Sequence, residues 1–524
     1  MKRRDFVATV SLALPASLPG IKSLTGGAEH IAAEFDATAA PAGNPAGLAF
    51  ASANEAGEAI RKKRISSVEL TQETFARIDK YNPQLNAFVY QLREDAIARA
   101  RKADQESAAG KSFGPLHGVP VHIKESFGVA GHPCTWGIPA LKDSKAAENS
   151  DAAARLLSAG AVLLGATNVP YYLDDWQTYN DIYGTTNNPW DLTRSPGGSS
   201  GGSAAALAAG LGYLSVGSDI GGSIRVPSHF CGIYGHKPTL DLVSSRGQLP
   251  GGARTAPGFS TLLEVAGPMA RSAEDLLVAL RILGGPADYS AKAWKWTLPP
   301  SRHEALRDFR VGYVIDDAYC PVTPDTKAAL EDAVRALDKA GAKLKPGWPA
   351  GFNVNELYDN YNFHLDAFGL GTAPPDEIEE ARKKAAASGE TPPGLRSFVE
   401  WQHQNIKRLA FRDQWQKYFE DVDVFLSPVF LTAAYPHDHS RPMSKRVLAT
   451  PAGPRIYDDG LRWIAVPTLT GCPATAAPVG HGEDGLPIDI QIMGPFWEDA
   501  TPITFAKLLA REIGGFRAPP GYET

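Results

Sequence analysis

Apolar residues recur at a helical period in several segments of the chain. Ser66 and Glu69 have the spacing of a capping box, and the apolar positions within 68–78 lie on one stripe. Residues 150–159 and 323–340 also have the pattern of helices, and a glycine follows each of these two segments. Because glycine readily takes the left-handed conformation that ends a helix, all three segments are predicted to be helices, the last two with defined ends.

Short apolar or alternating runs separate these helices. Residues 161–167 form one apolar run, residues 310–316 form another, and isoleucines alternate with polar residues from Ile488 to Ile492. Such runs are typical of buried or half-buried strands. Helices and strands therefore alternate along the chain, and the predicted fold class is α/β. No stretch of about 18 apolar residues occurs, so no stable membrane span is expected.

The first residues have the composition of an export signal. Met1 to Arg4 is basic, with two adjacent arginines, and an apolar stretch follows from Phe6 to Leu18. This pattern resembles the twin-arginine signals of bacteria, so residues 1–28 are predicted to be a signal peptide and the protein is expected to be periplasmic or secreted. A disordered tail or a retained anchor is the alternative. Residues 29–48 have the composition of a linker, and a single domain is predicted over 49–524.

Composition narrows the class of protein. The chain of 524 residues is 43% hydrophobic and 21% charged, which is ordinary for a folded protein and too apolar for a disordered one. Its formal net charge is −6, so it lacks the basic excess of a nucleic-acid-binding protein. The cysteines are too few for a disulfide scaffold or a Cys-rich zinc module. Even after export, buried thiols are expected at all four positions, which are Cys134, Cys231, Cys320 and Cys472.

Residues 351–460 differ from the rest of the chain. Aromatic residues are frequent over 352–415, and a polar tract lies near 375–395. The region is predicted to be inserted or pocket-building, and ordinary helical core is the alternative. If the region does line a pocket, that pocket is expected to take a bulky or aromatic group.

The segment from Ser195 to Pro227 carries the strongest chemical signal. It contains Gly-Gly-Ser-Ser-Gly-Gly at 197–202, then an alanine-rich run, then Gly-Ser-Asp-Ile-Gly-Gly-Ser-Ile-Arg-Val-Pro at 217–227. A glycine-rich turn that leads into a helix exposes backbone N–H groups, which can hold a phosphate or the oxyanion of an acyl-transfer transition state. Three interpretations therefore compete.

Two of these interpretations lack a required feature. A phosphate-binding loop needs a lysine directly after its glycines or the spacing Gly-x-Gly-x-x-Gly, and the segment has neither. A nucleophile elbow, Gly-x-Ser-x-Gly, can be placed with Ser199 or Ser200 at its centre, but an elbow follows a strand and residues 185–196 are predicted to be a loop. The third interpretation is a serine hydrolase whose base is a lysine.

A family resemblance agrees with the third interpretation. The two glycine–serine runs, in this order, resemble the hallmark of the amidase signature family, and residues 114–125, which include Lys124, resemble its catalytic-lysine stretch. That family more often has Asp after the lysine, where this chain has Glu125. Further landmarks at 86–88, 165–168, 235–239 and 485–492 extend the resemblance over residues 50 to 515.

The resemblance implies a fold and a set of catalytic residues. The fold is one large, mixed, twisted β-sheet sandwiched between helices. Ser223 is implied to be the nucleophile, Ser199 the bridging serine in a cis peptide, and Lys124 the base. Lysine can take a proton from serine when burial lowers its pKa from about 10.4. The implied oxyanion hole consists of the backbone N–H groups of Ile220, Gly221, Gly222 and Ser223.

The resemblance also implies a reaction, which is hydrolysis of a carboxamide C–N bond through an acyl-enzyme on Ser223, with esters as side substrates. The products are a carboxylic acid and ammonia or an amine. Neither a metal nor an organic cofactor is implied, and a metal pair at His437 and His439 lacks further ligands in the sequence. The alternative function is a non-catalytic or partner-dependent subunit, for example of a transamidation complex.

The expected substrate is a small-molecule amide whose identity the sequence leaves open. Tyr172 and Leu173 follow a family landmark and are predicted to line its pocket, while Ser200 is predicted either to help bind substrate or to cap a helix. Asp219 and Arg225 are expected to brace their loop by hydrogen bonds. No nucleic acid is expected as a partner, and a homodimer remains open.

Overall fold

Helices and strands alternate over residues 47–252, 262–373 and 375–523, which the computed structural model describes. The helices are α1 (Ala53–Arg61), α2 (Ser67–Leu85), α3 (Arg93–Ala108), α4 (Asp151–Ser158), α5 (Gly201–Ala208), α6 (Arg225–Cys231), α7 (Ala273–Leu283), α8 (Pro324–Lys339), α9 (Val354–Thr372), α10 (Pro375–Ser388), α11 (Phe398–Asp421), α12 (Leu461–Thr470) and α13 (Ala500–Ile513). The strands are β1 (Phe88–Gln91), β2 (Pro120–Lys124), β3 (Val162–Thr167), β4 (Tyr179–Asn180), β5 (Gly184–Thr185), β6 (Leu214–Asp219), β7 (Tyr234–Lys237), β8 (Val265–Ala270), β9 (Arg310–Tyr313), β10 (Lys343–Pro346), β11 (Val424–Pro428), β12 (Val447–Leu448), β13 (Arg455–Ile456), β14 (Ala474–His481) and β15 (Pro487–Met493).

Most of these strands form one mixed sheet. Its eleven strands follow the order β1-β3-β2-β6-β8-β7-β14-β15-β11-β9-β10. Strand β2 is parallel to both of its neighbours, β3 and β6, whereas β6, β8, β7, β14 and β15 pair antiparallel in succession. In the described residues the other strands form two small ribbons, β4 with β5 and β12 with β13. The predicted α/β class and the large mixed sheet are therefore confirmed.

Helices flank the sheet through two large apolar cores. Helices α7, α8 and α13 share one core, in which Ile490 of β15 meets residues such as Ile503. Helices α6, α11 and α12 share the other core, which includes Phe230 and Trp415. Each large apolar side chain that is fully buried in this way stabilises the fold by about 1.5–3 kcal/mol. All four cysteines are buried free thiols, as predicted.

Local sequence signals account for several element ends. The Ser66 hydroxyl accepts the N–H of Glu69 and the Glu69 carboxylate accepts the N–H of Ser66, which completes the predicted capping box of α2. Gly160 takes the left-handed conformation after α4, with φ at 81°. Strands β3 and β15 occupy the predicted runs. The strand predicted over 310–316 is shorter, because β9 ends at Tyr313.

Residues 351–460 contain a layer of three helices before the chain returns to the sheet. Helices α9 and α11 each bury one side, on which Tyr361 and Trp415 are fully enclosed, whereas the intervening α10 buries none of its residues. The inner side of this region is therefore helical core, and its part in building a pocket stays a prediction.

The N-terminal predictions fall outside the described residues. The predicted signal peptide at 1–28 lies wholly within the undescribed part, as does nearly all of the predicted linker at 29–48, so both remain predictions. Within the described residues, no helix combines the length and the apolar composition that crossing a bilayer requires.

Gly267 lies where two backbones are too close for a side chain. A Cβ on this residue of β8 would be 2.3 Å from the carbonyl oxygen of His236. Gly267→Ala is therefore expected to lower the free energy of unfolding by about 1–3 kcal/mol. Gly369→Ala in α9 is the matched control, because no atom lies within 4 Å of its Cβ position. That change should be neutral or stabilise by up to about 1 kcal/mol. Urea denaturation measures both, and equal stabilities would contradict the close approach.

Candidate active site

The ends of two parallel strands bring the first site residues together. Strand β2 ends at Lys124 and β6 ends at Asp219, and the two strands pair in parallel with His122 opposite Ser215. Because the carboxyl ends of parallel strands lie at the same edge of a sheet, functional groups commonly converge there. Lys124 and Ser218 meet at this edge although 94 residues separate them in sequence.

Lys124 is fully buried and bound to two serines. Its Nζ lies 2.7 Å from Ser199 Oγ and 3.0 Å from Ser218 Oγ. Burial of the ammonium group lowers the pKa of Lys124 to about 7, although the negative charges of Glu264 and Asp219 act in the opposite direction. A substantial fraction of the lysine is therefore neutral near pH 7, which a general base requires.

Ser218 is a site residue that the hydrophobic pattern does not single out. It lies inside β6 as one polar position among buried ones, and the only signal for it was its place in the Gly217-Ser218-Asp219 run. When Lys124 is neutral, Ser218 Oγ can accept one of its two N–H groups, so the nitrogen lone pair can face Ser199. Ser218 thus orients the candidate base.

Ser199, Ser200 and Ser223 lie in two adjoining loops. The Gly198–Ser199 peptide bond is cis, as the family resemblance implies. The N–H of Ser200 donates to the carbonyl oxygen of Ser223 at 3.2 Å, which ties the two loops together. Ser223 is 6% exposed and Ser199 1%, so the candidate nucleophile is the more accessible of the two and the lysine lies deepest.

Ser200 and the glycines after it fix the start of α5. Ser200 occupies the N-cap position, but its hydroxyl contacts the backbone of Ser218 at 3.4 Å and caps no N–H of the helix. A Cβ on Gly202 would lie 2.5 Å from the backbone nitrogen of Asn168, so the first turn of α5 sits directly on the backbone of the 165–168 landmark. The substrate role predicted for Ser200 stays a prediction.

Asp219 organises the loop that carries Ser223. Its carboxylate accepts the N–H groups of Gly222 and Ile224, each at 3.1 Å, and forms a buried ion pair of 2.7 Å with Arg225. Burial alone would raise the pKa of Asp219, but the neighbouring positive charges, chiefly Arg225, and the hydrogen bonds to the carboxylate together lower it. The remaining N–H groups of Arg225 are taken up by Ile464 O, Thr468 Oγ1 and Gln491 Oε1. The bracing role predicted for Asp219 and Arg225 is confirmed.

The same hydrogen bonds bear on the predicted oxyanion donors. Because Gly222 already donates its N–H to Asp219, the N–H groups of this segment that Asp219 does not take are those of Ile220, Gly221 and Ser223. Their role as oxyanion donors stays a prediction, and the geometry favours these three over Gly222.

The predicted pocket residues lie in a short 3-10 turn, Tyr171–Leu173. Tyr172 and Leu173 both have positive φ, at 57° and 62°. The Tyr172 hydroxyl donates to the carbonyl oxygen of Thr372 at 2.8 Å, which joins the turn to the last turn of α9. The helical layer of 351–460 therefore reaches this turn, and the pocket role of Tyr172 and Leu173 stays a prediction.

Glu125, next to the candidate base, has partners of its own. Its carboxylate accepts the N–H groups of Thr135 and Trp136 at 2.6 and 3.0 Å. Burial raises the pKa of Glu125, and these hydrogen bonds oppose that effect. Glu125 therefore anchors residues 135 and 136, which shows how the longer side chain is accommodated where the family more often has Asp.

Two alternative sites lack the geometry they need. An elbow serine follows a strand directly, but in the described residues β5 ends at Thr185, well before Ser199. His437 and His439 have ring centroids 5.5 Å apart, and His439 stacks on Tyr179. No group of three or more His, Cys, Asp and Glu side chains within the described chain is arranged to hold a metal ion.

A family model and a relative of known sequence both match most of the chain. The sequence model of the family described as Amidase matches residues 69–362 and 377–502. A glutamyl-tRNA(Gln) amidotransferase subunit from Nostoc sp. is 31% identical over 482 residues, which cover 85% of this chain and 94% of that protein.

Two solved structures are similar over most of the chain. One, described as a vestigial protein complex that reveals the origins of an s-triazine catabolic enzyme, has 27% identity and a TM-score of 0.74 over 89% of this chain and 99% of that chain. Another, described as an amidase, has 26% identity and a TM-score of 0.71 over 88% of this chain and 100% of that chain.

Proposed function

Because the chain belongs to the Amidase family, we propose that it hydrolyses a carboxamide C–N bond through an acyl-enzyme on Ser223. The observation that carries this proposal is the 2.7 Å hydrogen bond between Lys124 Nζ and Ser199 Oγ, which is fully buried. The hydrogen bond connects Lys124, whose pKa is lowered to about 7, with Ser199. The loop that carries Ser199 is itself hydrogen-bonded to Ser223 through the N–H of Ser200. The substrate is a small-molecule amide, and no cofactor takes part.

The reaction is a proton relay coupled to acyl transfer. Neutral Lys124 accepts the proton of Ser199, and Ser199 accepts the proton of Ser223, so Ser223 Oγ forms a bond to the amide carbon. Backbone N–H groups of the 220–223 loop stabilise the oxyanion of the tetrahedral intermediate. The proton returns through Ser199 to the leaving nitrogen as the C–N bond breaks. Water then cleaves the ester on Ser223 by the same relay and releases the acid.

A second candidate function is favoured by the curated relatives. The Nostoc protein is one component of an amidotransferase, and the similarity extends over 94% of its length. In such a role, the chain would use the same serines and lysine but would depend on partner proteins. The predicted signal peptide at 1–28 favours the free amidase, because an exported chain would be separated from tRNA. In the first candidate function, the protein is an exported free amidase that can act as a homodimer.

Covalent labelling tests the assignment of the nucleophile. A fluorophosphonate probe should label Ser223, and Lys124→Met should slow that labelling by about 10²–10⁴-fold, because the serine then lacks its base. Lys237→Met is the matched control. Lys237 is an equally buried lysine with a pKa near 7, but its Nζ donates to Pro238 O, 2.9 Å away. An adduct on Ser199 or Ser200, or equal losses in the two lysine variants, would contradict the proposed roles.

The pH dependence tests the protonation state of Lys124. Burial lowers the pKa of this lysine to about 7, so the neutral base is lost as pH falls through that value. The labelling rate should fall about tenfold for each pH unit below 7 and level off above about pH 8. The residual rate of Lys124→Met should not show this step. A rate that decreases between pH 6 and pH 8 would rule out a neutral lysine as base.

Turnover by the isolated chain separates the two candidate functions. A free amidase should release the amine from anilides without any added protein, and this activity should disappear in Ser223→Ala. A partner-dependent subunit should still be labelled on Ser223 but should turn over neither anilides nor glutamine alone.

Within an amide panel, preference for acetamide over anilides and long-chain amides would contradict the expected bulky or aromatic substrate.

A further inference from the structure

We propose that Tyr361 is a positioning residue for the oxyanion hole, because it holds the carbonyl of the peptide unit that carries the N–H of Gly221. Trp176 holds the next carbonyl of the same loop, in a unit whose N–H is already bound by Asp219. The proposal rests on the function proposed above and gives Tyr361 a role that no sequence pattern indicated. Tyr361 OH donates to Ile220 O at 3.0 Å, and Trp176 Nε1 donates to Gly221 O at 2.7 Å. The two side chains come from different parts of the chain, since Tyr361 lies on α9 and Trp176 follows the Tyr171–Leu173 turn.

A hydrogen bond to the carbonyl of one residue also fixes the direction of the N–H of the next residue, because both groups belong to one planar peptide unit. In a trans peptide unit, the carbonyl of one residue and the N–H of the next point in opposite directions. Among the described residues the cis peptide bonds are those at 198–199 and 441–442, so the units of this loop are trans. When Tyr361 holds Ile220 O, the N–H of Gly221 is directed away from Tyr361. When Trp176 holds Gly221 O, the N–H of Gly222 is directed away from Trp176.

Each peptide unit from 220 to 224 then has its own anchor. The 222–223 unit is held by the N–H of Val226, which donates to Gly222 O at 2.7 Å. The 221–222 unit is held at both ends, by Trp176 on its carbonyl and by Asp219 on its N–H. The 223–224 unit is also held at both ends, by Ser200 N–H on Ser223 O and by Asp219 on Ile224 N–H. Neither Asp219 nor Ser200 binds the 220–221 unit, so its anchor is Tyr361 on the carbonyl. The N–H of Gly221 is therefore the donor whose direction Tyr361 sets.

External anchors are needed because the loop contains two glycines in sequence. Gly221 and Gly222 have no Cβ to restrict their backbone, and Gly222 already has φ at 87°. A donor that stabilises an oxyanion is effective only if it points at the charge before the reaction, without reorganising during it. Both anchors are rigid aromatic side chains in the core, with Trp176 at 7% and Tyr361 at 0% exposure. They are therefore suited to hold the loop in one orientation.

Conservative variants remove each anchor and keep most of its packing. Trp176→Phe deletes the indole N–H, and Tyr361→Phe deletes only the hydroxyl. Two matched controls lose the same groups elsewhere in the same core. Trp463→Phe removes an indole N–H that donates to Cys320 O at 3.0 Å, and Tyr319→Phe removes a hydroxyl that donates to Arg462 O at 3.1 Å. A loss of general packing or stability should affect the controls and the test variants alike.

The readouts are hydrolysis of 4-nitrophenyl butyrate and inhibition by an aryl trifluoromethyl ketone, which forms a tetrahedral anion on the serine. Trp176→Phe should have the smaller effect, because Asp219 still holds the N–H of the 221–222 unit. Tyr361→Phe should lower kcat/KM by about 10- to 100-fold, mostly through kcat, because the lost orientation matters for the anionic transition state. The inhibition constant of the ketone should weaken by the same factor, and the pH profile set by Lys124 should stay in place. The two control variants should retain activity within about threefold of wild type.

The outcomes separate this inference from the function on which it rests. If wild type is labelled on Ser223 and hydrolyses the ester, but Tyr361→Phe loses no more activity than the controls, the positioning role is refuted and the proposed function stands. A fall in kcat/KM without a matching loss of ketone affinity also refutes it, because the oxyanion would then be unaffected. If wild type neither reacts with the fluorophosphonate nor hydrolyses the ester, the proposed function fails and the inference with it.

Discussion

The candidate active site depends on the burial of one lysine, Lys124. Lys124 can act as a base only while water is kept from its amine, because hydration would return its pKa toward the ordinary value. Its hydrogen-bond partners are two serine hydroxyls, which satisfy the amine without adding the negative charge that would hold the proton on it. Helix α5 also helps to exclude water from the amine, because its first turn packs directly against the backbone at Asn168, at the same edge of the sheet.

The neighbouring ion pair shows what an arginine contributes beside the candidate base. The guanidinium of Arg225 pairs with Asp219 and lowers the pKa of that carboxyl, and the carboxylate also accepts backbone N–H groups. A lysine in that position would be liable to lose its proton on burial, as Lys124 does. Lys124 and Arg225 therefore differ in their parts according to their chemistry. In the proposed reaction the lysine changes its charge, while the arginine fixes the shape of the loop.

Features encoded within a few residues could be predicted from the sequence, and those made by distant residues could not. The Ser66–Glu69 capping box and the stop at Gly160 are local, so spacing alone predicted them. Lys124 and Ser199 are 75 residues apart, and only the family resemblance joined them before the structure did. Ser218, Trp176 and Tyr361 escaped prediction for a different reason. Each acts through one hydroxyl or indole N–H, and Tyr361 reaches its partner carbonyl across 141 residues, so no periodicity marks it.

The helical layer of 351–460 connects the part of the chain that resembles the family to the part that does not. The family match stops at residue 362, one position after Tyr361, and resumes at 377. The same helix, α9, therefore anchors the Ser223 loop within the matched segment and receives the Tyr172 hydroxyl at Thr372 outside it. Changes near Thr372 can alter the turn that carries Tyr172 without reaching the Ile220 carbonyl, because the two contacts lie eleven residues, or about three turns, apart on the helix. Such an arrangement lets the Tyr172 turn diverge while the orientation of the Ser223 loop is kept.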